Sequence, residues 1–235
     1  MSFTSYSQDL AFNAVYVKAE ENAQDNIAEL FDNFYGDKEF KSGGVALERL
    51  WLGRPDGMTH RVVFLWELGK QGLAEGQASE FEESAFWGWL VNRIEKWGTS
   101  YAGRFINWIE GDIEKNPYVQ IWDINPENPQ AFQKAQLEFV ESLPDVFKDR
   151  FVGFGTYDVN RPNGATHWAL VSGSDLDDHL SFVNDLQKNH TKKFMKYMED
   201  RGARLFIESD AMQAAEINRL SKRPVLDVFN MRLLR

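Results

Sequence analysis

The chain has 235 residues, a formal net charge of −10, 43% apolar and 26% charged residues, 8 Trp, 18 Phe and no cysteine. This is the make-up of a globular protein with material for a sizeable core. It excludes disulfides, thiolate metal sites and cysteine nucleophiles, and its acidic balance opposes general binding to a nucleic-acid backbone.

In chain order, residues 12–19 ("FNAVYVKA") are short and rich in strand formers. Ile27, Leu30, Phe31 and Phe34 then recur at helical spacing. Residues 45–52 and 61–68 read as strands joined by a turn. A second helix opens at "SEFE", residues 79–82, where Ser and Glu three apart form a capping box. Its apolar face reads as Phe81, Ala85, Phe86, Trp89, Leu90 and Trp97, with "WGW" at 87–89 as packing. Residues 104–109 close the unit as a strand, in the order β-α-β-β-α-β.

The order then recurs. Residues 118–124 form a strand, and Asn128 caps a helix with Pro129 at its first position, where a missing N–H costs nothing. Phe132, Ala135, Phe139, Val140 and Leu143 make its buried stripe. Strands follow at 151–159 and 166–172, then a helical stretch at 175–201 broken near Asn189, with Gly202 as its C-terminal cap. Its stripe reads as Leu176, Leu180, Val183, Gln187, His190 and Phe194. Residues 204–208 are expected to close the second unit, with an extra helix at 211–220. The last 17 residues, "RLSKRPVLDVFNMRLLR", carry five basic side chains and one acid. They read as a solvated tail or terminal strand, or as a docking element for an acidic surface such as a second copy.

The chain repeats itself in detail as well. "RPDGMTH" at 54–60 and "RPNGATH" at 161–167 share five of seven residues. "EENAQ" at 20–24 resembles "PENPQ" at 126–130, and "GRFI" at 103–106 resembles "ARLF" at 203–206. The units are set at 10–112 and 117–210, followed by a C-terminal helix and basic tail at 211–235. Two ferredoxin-like units in one chain resemble the dimeric α/β-barrel superfamily in its fused, tandem form. The resemblance covers about residues 10–210 and rests on topology and repetition. It implies an α+β fold whose antiparallel sheets face each other or join as a barrel. It also implies sites in the barrel or between sheet and helices. The superfamily's activities include cofactor-independent oxygenation and muconolactone-type isomerisation. No motif carries catalytic residues over, so whether the chain is an enzyme stays open. No phosphate-binding Gly-rich loop and no GxSxG elbow is present.

Pro followed by Asp-Gly or Asn-Gly suits a tight turn, so the heptapeptides read as one hairpin built twice. The sharper alternative makes His60 and His167 an acid/base or metal pair, although no carboxylate motif accompanies them and no metal is expected. Strand alternation nominates a ligand face. With Val15 and Val17 toward the helices, Tyr16 turns away, and Trp122 is its counterpart. With Phe105 and Ile109 toward the helices, Arg104, Ile106 and Trp108 turn away, matched by Arg204, Phe206 and Glu208. Tyr16, Arg104, Trp108, Trp122, Arg204 and Phe206 are thus expected to line an aromatic cleft for a small organic ligand, flat or anionic. The plain alternative is sheet-on-sheet core.

No cofactor is expected. A second reading is haem, because chlorite dismutase-like proteins also fuse two such units and use a histidine of the second, where His167, His179 and His190 lie. A third is a non-enzymatic oligomerisation or regulatory module. No apolar run approaches the ~20 residues of a membrane helix. The opening "MSFTSYSQDL" lacks a secretory pattern. The expected setting is therefore cytoplasmic, with a small molecule and a second copy as candidate partners and neither nucleic acid nor membrane.

Overall fold

The structure, a computed structural model, describes residues 9–202 and the backbone of a strand at 227–234. The first half runs β1 (Leu10–Ala19), α1 (Gln24–Tyr35), β2 (Gly44–Leu52), β3 (His60–Glu67), α2 (Glu80–Val91) and β4 (Ile94–Ile109). The second runs β5 (Tyr118–Ile124), α3 (Pro129–Ser142), β6 (Val152–Val159), β7 (His167–Gly173), α4 (Leu176–Lys188) and α5 (Thr191–Asp200), with β8 at Asp227–Leu234. The expected α+β architecture is present. Of the two sheet arrangements weighed, the strands take the joined one, a closed barrel in the order β1-β3-β2-β8-β5-β7-β6-β4. Every neighbouring pair is antiparallel. Closure leaves no sheet edge unpaired.

The helices wrap the outside. Ile27, Phe31, Phe86 and Leu90 pack on Val17, Leu47 and Val62. Phe139, Val140, Phe182 and Leu186 pack on Ile109, Val152 and Val171. A separate cluster fills the barrel, with Phe12, Tyr16, Phe105, Tyr157 and Trp168 among its members.

Local signals mostly hold. The Ser79–Glu82 capping box forms in both directions. Asn128 accepts from the Ala131 N–H at 3.0 Å with Pro129 in the first turn. The helical stretch after residue 175 breaks between Lys188 and Thr191, and Gly202 has φ +69°. The two heptapeptides fold alike. Asp56 and Asn163 have φ 48° and 47°, and the Met58 and Ala165 N–H groups return to the Pro55 and Pro162 carbonyls at 2.9 and 2.8 Å. Met58 and Ala165 are both buried in the barrel cluster.

Two expectations change. First, α2 stops at Val91, and Trp97 belongs to β4, a strand of 16 residues that begins ten earlier than expected. Only Phe86 and Leu90 of α2 are buried, so Phe81, Ala85 and Trp89 face solvent. A helix apolar on all sides gives no period from which to read its inner face. Second, the buried stripe of α4 is His179, Phe182 and Leu186, while Leu176 and Leu180 are exposed. Of the readings offered for the last 17 residues, the terminal strand is the one found, at Asp227–Leu234. It pairs with β5 and β2 as β4 pairs with β1 and β6. The expected closing strand at 204–208 and the helix at 211–220 lie outside the described residues.

Candidate ligand site inside the barrel

Inward-facing side chains leave a cavity of about 230 Å³. Its walls include Phe12, Val63, Phe105, Trp108, Ile121 and Trp168. Exposed Ile113 and half-buried Phe151 also line it and mark its open end, near the loop between β4 and β5. Two indoles need room, and β6 supplies it. A Cβ at Gly155 would come within 2.3 Å of the Trp168 ring, and one at Gly153 within 3.0 Å of Trp168 and 3.1 Å of Trp108. "VGFGTYDV" therefore turns two glycines inward where side chains would otherwise collide. The Trp168 Nε1–H is buried without a hydrogen-bond partner among the described residues.

Toward the hairpin end the lining turns polar. Tyr16 on β1 and Glu48 on β2 both stand opposite Arg61 on β3. Arg61 donates to both Glu48 oxygens, at 2.5 and 3.2 Å, and its guanidinium lies 5.8 Å from the Tyr16 ring centre. Tyr101 on β4 packs edge-on between Tyr16 (5.7 Å) and Tyr157 on β6 (5.9 Å). The Tyr157 hydroxyl donates to Asp123 Oδ1 of β5 at 2.5 Å. Six strands thus contribute one polar residue each to a girdle around the barrel. Glu48, Arg61, Tyr157 and Asp123 are all buried. Burial pushes the Tyr16 and Tyr157 phenols well above their usual range, so both stay protonated. Burial also raises the Glu48 carboxyl, against the opposing pull of Arg61. A buried ion pair is tolerated only when its hydrogen bonds are made, and the bidentate geometry meets that condition.

Only part of the expected cleft meets here. Tyr16 and Trp108 do face the barrel interior. Trp122 does not: Ile121 and Asp123 turn inward, and Trp122 lies on the helix side, 6.1 Å from the His179 ring. A one-residue error in register inverts a strand's faces. Arg104 is half-exposed on the outer surface, paired with Asp158 at 2.7 Å. In β4 a bulge between Phe105 and Asn107 breaks the alternation, so Phe105 and Trp108 face inward together while Ile106 and Ile109 face the helices. Arg204 and Phe206 lie outside the described residues.

The paired-histidine site does not form. His60 on β3 and His167 on β7 both turn away from the interior, on opposite sides of the barrel, because their neighbours Arg61 and Trp168 point in. Each instead closes the same local contact. Nδ1 lies 2.9 Å from Thr59 Oγ1 in one and 2.8 Å from Thr166 Oγ1 in the other. Burial pulls the His60 imidazole down to about 4 and lowers His167 as well. No group of three or more metal-ligating side chains occurs among the described residues.

The girdle residues Glu48, Arg61, Tyr101, Tyr157 and Asp123 escaped the sequence reading. Charges inside otherwise apolar strands, in "VALERLWL" and "HRVVFLWE", are the signal that points to them. A polar residue on a two-sided apolar strand must find a buried partner.

No family model matches the chain, and no curated protein matches it. Among solved structures, two that carry the name "putative monooxygenase" are similar over nearly the whole length. The one from Fusobacterium nucleatum subsp. nucleatum is 15% identical, with 98% of this chain and 94% of that chain covered and a TM-score of 0.57. The one from Lactobacillus acidophilus is 8% identical, with 97% and 95% covered and a TM-score of 0.56. A chain named for chlorite dismutase is more distant, at 6% identity and a TM-score of 0.48, and bears on nothing further. At these identities the likeness is one of fold alone.

Proposed function

We propose that the protein binds a small, largely apolar, flat organic molecule inside the barrel. The carrying observation is the cavity itself, walled by Phe12, Phe105, Trp108 and Trp168, with an unpartnered indole N–H in its lining. Aromatic walls with a few placed polar groups are the usual make-up of such a site. The apolar body of the ligand sits toward Trp108 and Phe151. A carbonyl or hydroxyl on it meets Trp168 Nε1–H or the girdle phenols. Arg61 is already matched by Glu48, which argues for a neutral ligand over the anionic one that sequence also allowed.

The residues around the cavity do not fit haem. Among the described residues no histidine lines it, and His179 is buried on the helix side against Trp122 and Phe182. The name shared by the two similar structures makes dioxygen consumption the first activity to assay once a ligand is known.

Native mass spectrometry on the full chain, purified without added ligand, is expected to show an extra mass lost on denaturation. A neutral aromatic probe, N-phenyl-1-naphthylamine, is expected to bind the wild type. Leu65→Trp, which fills the cavity, should abolish that binding while unfolding stays cooperative. Trp168→Phe, which removes the N–H donor along with part of the ring, should weaken retention of a carbonyl ligand by about 10-fold or more. Probe binding undiminished in Leu65→Trp, or no probe binding in the wild type, would refute the proposal.

A further inference from the structure

A second cavity lies behind the barrel wall, in the helical layer of the second half. About 110 Å³ is open between α3, α4 and α5 and the outer side of β6 and β7. Phe139 and Val140 of α3, Phe182 and Leu186 of α4, and Val152 and Val171 of the strands wall it, and all six are buried. Half-buried Phe194 and Tyr197 of α5 form its outer wall.

Size and lining decide what such a space can hold. Packed interiors keep few voids larger than one water molecule, because a gap leaves the atoms around it without contacts. A water inside would need about two to four polar partners. Gln136 is the one amide in the lining, and both its ends are bonded: Oε1 accepts from Asn107 Nδ2 at 3.1 Å, and Nε2 donates to the Gly153 carbonyl at 3.2 Å. The Tyr197 hydroxyl is engaged with Arg201. Among the described residues, no lining side chain carries a buried polar atom without a partner. The barrel cavity differs on this point, since Trp168 offers it an unpartnered indole N–H. The outer cavity has room for more than a water and nothing to hold one.

We propose that this cavity is a second binding site, for a small apolar molecule without hydrogen-bonding groups, up to the size of a single benzene ring. Cavities of about 150 Å³ lined by aliphatic and aromatic side chains stay dry and take up benzene or xenon. The ligand class differs from that of the barrel, whose lining offers donors to a carbonyl or hydroxyl. Among the described residues only Leu170 borders both cavities, so either site can be filled without the other.

Methyl NMR of the full chain titrated with benzene tests the assignment. The methyl signals of Val140, Val183 and Leu186 should shift saturably, and they should do so equally in Leu65→Trp, which fills the barrel. Val183→Phe brings a ring into the outer cavity from a half-buried position. It should weaken binding read at Val140 and Leu186 by about 10-fold or more with circular dichroism unchanged. Crystals held under xenon should show the gas among Phe139, Val152 and Phe182. Shifts confined to Val63, Leu65 and Ile121 in the barrel, or no saturable shift up to the solubility of benzene, would overturn the proposal. So would undiminished binding in folded Val183→Phe, or ordered water in the cavity in place of xenon. Should Val183→Phe not fold, the wild-type and Leu65→Trp titrations decide by themselves.

Discussion

The two helical layers of this protein begin from the same element order and end differently. Over the second half, α5 folds across α3. Tyr197 stacks on Phe139 with ring centres 4.6 Å apart and planes 10° from parallel, and Lys193 donates to the Ser142 carbonyl at 2.6 Å. Over the first half no such helix is present among the described residues, and Phe81 and Trp89 stand in solvent. One layer is completed by an added helix, and the other leaves an apolar face exposed among the described residues. Equal topology therefore does not mean equal surface, because an added helix of ten residues decides which aromatics are buried.

The largest expected contrast is Phe139→Ala against Phe81→Ala. The first leaves a cavity in a packed layer and should cost about 3–5 kcal/mol in denaturant unfolding. The second should change the stability of the dilute chain by less than about 0.5 kcal/mol. A similar loss at both positions would mean that the first layer is covered too.

Acid sensitivity should be common to both layers. His60 lies on the helix side of the first half, and His179 beneath the second. Burial holds each near a pKa of about 4, with nearby arginines adding to it: Arg49 and Arg54 at His60, and Arg150 at His179. Both imidazoles stay neutral in the folded state, while the unfolded chain takes up protons below about 6.5. The unfolded state therefore binds more protons between about 6.5 and 4. Stability present above 6.5 is lost as pH falls through that window, by at most about 2–3 kcal/mol for each histidine. Glu48, raised by burial, works in the opposite direction. Thermal melts of His60→Gln and His179→Gln across that window should each show a shallower fall than the wild type. An unchanged slope in either variant would remove that histidine from the account.

The smallest effect is the most telling about the bare layer. Gly88→Ala should stabilise the dilute chain by about 0.5–1 kcal/mol, because helix propensity improves and the new methyl meets nothing. Equilibrium unfolding in dilute solution measures it. A loss of stability there would mean that the position is constrained within one chain.

The sequence by itself determined the element order, the helix caps and the doubled turn. These are decided by neighbours along the chain. Ser79 reaches Glu82, Pro55 and Pro162 preset φ, and Asp56 or Asn163 with the following glycine accepts positive φ. The tertiary structure alone decided which face each strand turns inward. The bulge after Phe105 shifts the alternation of β4, and Trp122 yields the interior to Asp123 because Tyr157 waits there, 34 residues away, with a hydroxyl to donate. It also decided that Arg61 finds Glu48, and that Phe86 of α2 is buried against Phe31, Phe34 and Tyr35 while Phe81 and Trp89 stay exposed. Periodicity reports that a segment has two faces. Which face is buried depends on partners distant in the chain, and only the closed barrel brings them together.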